Sequence, residues 1–423
     1  MARFVVVACL LALLSPVATP AHARLPWPAT TLQIGMEDDE GGAAALRASA
    51  PFGLRYHYLA GGVNTGGGWT TWATGSGSFV TGFVEDSVAA GMVPVFSYYM
   101  LRQSRPGASR SDERQAIVEN LADRATMRAW FEDLRLFFER AGATGQAAVL
   151  QVEPDLWGYV QQTGGDDAAG VPAKVAATGL PELAGLPDTA AGVARAVKRL
   201  RDRLAPKVRL AYPVSIWGTG KDIAISNEDD ASVDALAGRS VRFLRSLRTS
   251  WDVLFTEVAD RDSAYAVKRD GRDPADVWWD DADFRRYTRY IGRLHRATRL
   301  PIVVWQIPLG NTLYRAIDDT PHHYADNRVQ WLLGGGHRAH LRRWVRAGVV
   351  ALLFGSGQDE GTCACDAARD GVTNPPPSGT RTRPSLSADD DGGYFRARVR
   401  AYYRAGAIPL PAATRGRAPG YVR

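Results

Sequence analysis

The stretch Ala147–Gly158, AAVLQVEPDLWG, is an apolar run of strand character that passes directly into Glu153, Asp155 and Trp157. It is the fourth of eight such runs: Leu32–Glu37, Leu54–Leu59, Met92–Met100, Ala147–Glu153, Val208–Ser215, Trp251–Glu257, Pro301–Ile307 and Val349–Gly355. Short apolar runs of this kind read as strands covered on both faces. Helical patterns separate them, most clearly Phe79–Ala90, Ala125–Ala141, Thr189–Leu204, Ser232–Leu247, Asp283–Ala297 and Ala339–Ala347, with Tyr394–Ala405 closing the chain. Asp123 and Asp280 stand where N-caps belong, and Gly142 and Gly348 where helices stop.

Strand then helix, repeated eight times through 423 residues, is the pattern of a parallel sheet with helical crossovers. An open doubly wound sheet would follow its first strand with a glycine-rich phosphate turn. Met36-Glu37-Asp38-Asp39-Glu40 occupies that position and would repel a phosphate. The sequence therefore predicts an α/β fold, a closed (β/α)8 TIM barrel. Its long loops, Ala60–Ser78, Gln103–Ala116, Gln161–Pro187 and Gln358–Gly393, each follow a strand and so belong on the C-terminal face, where such barrels build their sites. Pro375–Pro377 and Asp389–Asp391 read as solvated linker and helix N-cap, not as a calcium loop. No repeat or linker divides residues 24–423, which are expected to form one barrel domain.

The first residues set the compartment. Arg3 precedes the apolar run Phe4–Leu14, and Ala21-His22-Ala23 is a small-x-small cleavage site. This is the pattern of a secretory signal peptide over residues 1–23, cut after Ala23, and too short to span a bilayer. The expected product is secreted or periplasmic, with no stable membrane insertion. Val6-Val7-Ala8-Cys9 resembles a lipoprotein box, but the apolar run continues past Cys9. Cleavage leaves Cys363 and Cys365, whose spacing suits a local disulfide better than a metal site.

The net charge of +6 comes from scattered arginines, without the clustered basic stripe that nucleic acid requires. Twelve tryptophans and fifteen tyrosines are more informative, because aromatic faces stack on sugar rings. Carbohydrate is the expected partner, and neither cofactor nor metal is expected.

Alternate residues of a strand face the same way. Gln151, Glu153 and Asp155 are therefore expected to point into the barrel, and Glu153 is the first choice for a catalytic acid. A glycosidase needs a second carboxylate. Glu257 ends the sixth run in phase with Val253 and Phe255 and is the preferred partner, followed by Asp155. Glu37 ends the first run in phase with Gly35. Asp260, Asp359 and Glu360 follow the sixth and eighth runs. Strand ends also carry His57, Tyr58, Tyr98, Tyr99, Trp157, Trp217, Trp305 and Gln306. Tyr58–Trp72, YLAGGVNTGGGWTTW, combines mobile glycines with Trp69 and Trp72, which suits a sugar-binding lid or a surface loop with packed aromatics.

These residues resemble the secreted (β/α)8 glycoside hydrolases at the level of the superfamily. The resemblance spans nearly the whole mature chain as a pattern and implies hydrolysis of a polysaccharide or oligosaccharide. In the best-known clan an acid/base glutamate follows asparagine at the end of strand four, and a nucleophilic glutamate ends strand seven. Glu153-Pro154 matches the first position, with Val152 in place of asparagine; Trp305-Gln306 offers no carboxylate at the second. Gln151-x-Glu153-x-Asp155 loosely echoes the acid spacing of chitinase-like barrels. A non-catalytic polysaccharide-binding barrel is the alternative, favoured by that missing carboxylate.

Other chemistries lack their motifs. There is no Gly-x-Ser-x-Gly elbow for an esterase. His322-His323 with Asp326 lacks a metal-binding spacing and reads as exposed loop polar residues.

Overall fold

Each apolar run becomes a strand because helices cover one of its faces and the barrel interior the other. The computed structural model describes residues 27, 29–336 and 338–414; the expected signal peptide and Cys9 lie outside the described residues. The strands are β1 (Gln33–Glu37), β2 (Leu54–Leu59), β3 (Val93–Tyr98), β4 (Ala148–Val152), β5 (Val208–Val214), β6 (Val253–Glu257), β7 (Ile302–Ile307) and β8 (Val349–Phe354). All pair in parallel with their sequence neighbours, and β1 pairs with β8 to close the barrel. The chain is a (β/α)8 TIM barrel.

The principal crossover helices are α1 (Ala43–Ser49), α2 (Ser78–Ala89), α3 (Arg124–Ala143), α4 (Ala190–Leu204), α5 (Asp230–Ser246), α6 (Asp281–Thr298), α7 (Arg338–Arg346) and α8 (Tyr394–Arg404). Two of their starts are set by side chains. The Asp123 carboxylate accepts from Thr126 N at 2.7 Å, and Asp280 and Asp283 form a reciprocal capping box. Gly142 lies inside α3, where a Cβ would sit 2.2 Å from the Leu204 carbonyl oxygen, so close packing on α4 explains it. No helix among the described residues is long and apolar enough to cross a membrane.

Cys363 and Cys365 form a disulfide in the long loop after β8. In the same loop Asp391 stands at the start of α8, as expected of a helix-capping acid, and both Asp390 and Asp391 are fully buried. Asp391 accepts from Gly393 N and Phe395 N at 2.8 and 2.7 Å and fixes the start of α8, while Asp390 accepts from Ala368 N at 3.3 Å.

Trp157 corrects an expectation. It starts the helix Leu156–Gly164 with its ring 1% exposed, turned from the barrel mouth toward Tyr212 and Trp251 at 5.9 and 6.0 Å. Its indole donates to the Val152 carbonyl at 2.8 Å. Trp157 is core, so Trp157→Ala should lower stability by roughly 3–5 kcal/mol in a denaturant titration; a loss below about 1 kcal/mol would place it at the surface.

Candidate functional site

The C-terminal ends of the strands open into a cavity of about 820 Å³, within the range of small-ligand sites. Every strand contributes: Glu37 from β1, Tyr58 from β2, Tyr99 after β3, Asp155 after β4, Trp217 after β5, Glu257 from β6, Trp305 and Gln306 from β7, and Ser356 after β8.

Three of the carboxylates that line the cavity, Glu37, Asp155 and Glu257, are raised by burial. Burial, and then the charges of Asp155, Asp222 and Asp260, push Glu257 well above the usual carboxylate range. The Trp217 indole donates to Glu257 Oε1 at 3.1 Å and holds the group in place. Burial raises Asp155 to about 6, and a hydrogen bond from the Tyr99 hydroxyl works against that rise. Burial raises Glu37 to about 7, offset by hydrogen bonds from Ser356. Burial is the largest cause for all three, and like charge adds to it, from Asp39 at Glu37, from Glu113 and Asp260 at Asp155, and from Asp155, Asp222 and Asp260 at Glu257.

Glu153 is placed differently from the alternation expectation. Its φ of 54° breaks the strand period just before Pro154 and turns the side chain away from the cavity. Oε1 accepts from Trp130 Nε1 of α3 at 2.7 Å and from Met100 N and Leu101 N at 3.1 and 2.9 Å. The residue is fully buried, with Oε2 unpartnered, and burial raises its carboxyl to about 8. Left-handed backbone at a non-glycine costs on the order of 1–3 kcal/mol, which these three bonds offset. Glu153 thus ties β3, β4 and α3 together, and it is Pro154 and Asp155 that reach the cavity.

The aromatic residues divide in the same way. Trp217 packs on Tyr159 at 4.7 Å, and Trp305 on Tyr58 at 5.6 Å, all four lining the cavity. Trp69 and His57 face the helices instead. Trp69 is fully buried, donates to Asp133 of α3 at 2.8 Å and packs on Phe137. His57 contacts the Asp38 carbonyl oxygen at 3.0 Å and packs on Phe79 of α2. Trp72 is 41% exposed and packs on His57 and Phe79, outside the cavity. The tryptophans of the Tyr58–Trp72 loop therefore anchor it to α2 and α3.

Glu113, Asp222 and Tyr159 line the cavity without having been singled out from the sequence. Tyr159 donates to Glu113 Oε2 at 2.7 Å, linking the helices Leu156–Gly164 and Glu113–Ala122, which only the fold brings together. Asp260 and Asp359 also line it, whereas Glu360 pairs with Arg269 at 2.9 Å. His322, His323 and Asp326 do not converge. His323 approaches Asp370 at 3.4 Å, and Asp326, expected on an exposed loop, is fully buried against Arg328 at 2.6 Å. Among the described residues no cluster of three or more His, Cys, Asp or Glu could hold a metal ion.

No family model matches the sequence, and a search of curated proteins returns no match. Solved structures similar to the chain include the catalytic domain of the GH26 endo-β-1,4-mannanase of Bacillus sp. JAMB-750, at 10% identity and TM-score 0.45, covering 88% of this chain and 86% of that one. Xylanase B of Clostridium stercorarium F9 matches at 12% identity and TM-score 0.42, covering 77% and 85%. The endoglucanase Cel6 of Mycobacterium tuberculosis matches at 14% identity and TM-score 0.29, covering 62% of this chain and 64% of that one, under two thirds of its length. A D-allulose 3-epimerase from Methylomonas sp. and a morphinone reductase match as well. Likeness at this level carries no argument about activity.

The placement of Glu153 has a measurable consequence. An acid whose folded-state pKa lies above its unfolded one stabilises the fold while it stays protonated. The Glu153 contribution is complete below about pH 4.5 and is lost as pH rises through about 8. Glu153→Gln keeps the acceptor for all three donors and should flatten this fall in thermal stability. Glu153→Ala leaves three buried donors unpaired and should cost roughly 3 kcal/mol or more. An unchanged pH dependence in Glu153→Gln would contradict the assignment.

Proposed function

We propose that this protein is an exported glycoside hydrolase in which Glu257 is the general acid and Asp155 the second carboxylate. The observation that carries the reading is that Asp155 and Glu257 line the same cavity, each held by one aromatic donor, with the charge of Asp155 raising the proton affinity of Glu257. Glycosidic cleavage asks for this inequality between two acids. Glu257, strongly held in its protonated form, gives its proton to the leaving oxygen. Asp155, about 6, ionises more readily and supplies the negative charge that attacks the anomeric carbon or activates water. Trp217, Tyr159, Trp305 and Tyr58 supply apolar faces for the sugar rings. Glu153, its Oε1 occupied by three donors, holds the β4 turn that carries Asp155.

Reducing-end release from a panel of polysaccharides and oligosaccharides tests this. Asp155→Asn and Glu257→Gln should each lower kcat by roughly 10²–10⁴-fold with the fold intact, and Glu153→Gln should stay within about tenfold of the parent. The kcat/KM profile should fall on the acid side near pH 6 as Asp155 protonates. Turnover surviving in Asp155→Asn or Glu257→Gln would refute the pair. Binding of a glycan with no turnover by the parent would favour the non-catalytic barrel.

A further inference from the structure

Trp305 and Gln306 are consecutive residues of β7, yet both line the cavity. Strand alternation would send one of them toward the helices. Gln306 escapes it through left-handed backbone, φ 54°, where the pairing of β7 with β8 slips between Val304 and Ile307. A bulge of this kind re-aims a side chain, and a non-glycine keeps such a conformation only where something repays it. The same φ at Glu153 is repaid by three hydrogen bonds to its side chain. Gln306 has no such return. Among the described residues its amide has no hydrogen-bond partner, although the residue is only 8% exposed.

The surroundings say what the amide could take. Trp305 pairs with Glu257 across β6 and β7, so Gln306 stands one residue beyond the proposed acid's partner. Trp305 also packs on Tyr58 at 5.6 Å, and both rings line the cavity. Burial, and then the charges of Tyr56, Glu37, Asp155 and Glu257, push the Tyr58 hydroxyl well above its ordinary value. An amide offers an acceptor oxygen and a donor NH2 side by side. A carboxylate ligand would satisfy only the NH2, and an ammonium only the oxygen. Hydroxyl groups both donate and accept, and two on neighbouring carbons meet both ends of the amide at once. A trans acetamido group points its N–H and C=O in opposite directions and offers one at a time.

We propose that Gln306 is a substrate-contacting residue that selects a sugar ring with two free hydroxyls on adjacent carbons. Its oxygen accepts from one hydroxyl and its NH2 donates to the other, with the ring against Trp305. This rests on reading the cavity as a sugar site and adds what one part of that site recognises. The strained backbone at Gln306 is then the means of bringing an amide to the ligand, and the ligand supplies the hydrogen bonds that the protein withholds.

Thermal melting and calorimetric binding decide the matter, with maltohexaose, cellohexaose, mannohexaose, xylohexaose and chitohexaose as probes. Gln306→Met keeps the bulk and removes an unpaired amide, so it should melt no lower than the parent. The parent should bind one of the first four at least roughly tenfold tighter than chitohexaose, whose acetamido groups replace one member of each hydroxyl pair. Gln306→Met and Gln306→Gly, the second suited to left-handed backbone, should each erase that difference by weakening the tighter oligomer. A lower melting temperature in Gln306→Met would make the amide a structural group and overturn the inference. Undiminished binding by the variants, tighter binding of chitohexaose, or no binding of any probe by the parent would overturn it as well. Cleavage is read separately. An oligomer bound through Gln306 but left intact upholds the contact and removes the hydrolase reading. Cleavage unchanged in Gln306→Met does the reverse.

Discussion

Oε1 of Glu153 accepts three hydrogen bonds, from the Trp130 indole and from two backbone amides that follow β3. Much of the mouth depends on this one oxygen. It holds β3, β4 and α3 in register at the rim, and it supports the left-handed backbone at Glu153. That turn redirects the chain through Pro154 so that Asp155 enters the cavity. An acid that looks catalytic by its position at a strand end is thus consumed in building the wall. The next acid inherits the access.

The chemistry follows from where water is excluded. Glu37, Asp155 and Glu257 come from β1, from beyond β4 and from β6, and burial raises all three. Their separation in proton affinity comes from neighbours. Three like charges bear on Glu257 against one indole donor, whereas two, Glu113 and Asp260, bear on Asp155 against the Tyr99 hydroxyl and the partial compensation of Arg102. One fold thereby holds one acid protonated and lets another ionise more readily.

The strands were legible because burial on both faces leaves continuous apolar runs, and the register of Glu257 against Trp305 follows the period of two. Inward orientation could be read at Glu37, Tyr58 and Glu257 for the same reason. It could not be read at Glu153, where a positive φ ends the period, nor at Trp157, which belongs to the next helix and packs outward. α1 escaped notice because seven residues, Ala43–Ser49, are too few to display a helical period. Glu113 and Tyr159, in the short helices Glu113–Ala122 and Leu156–Gly164, and Asp222, in the loop after β5, approach the mouth because the barrel closes and not through any local pattern.

The central claim is that Asp155 and Glu257 flank the scissile bond while Glu153 stays behind the wall. A crystal structure of the Glu257→Gln variant with a bound oligosaccharide tests it most directly. The account predicts a glycosidic oxygen within hydrogen-bond reach of the substituted side chain. It also places the Asp155 carboxylate near the anomeric carbon, with the two groups about 5–10 Å apart. A sugar chain bound with its glycosidic oxygens remote from both residues, or directly contacting Glu153, would contradict it.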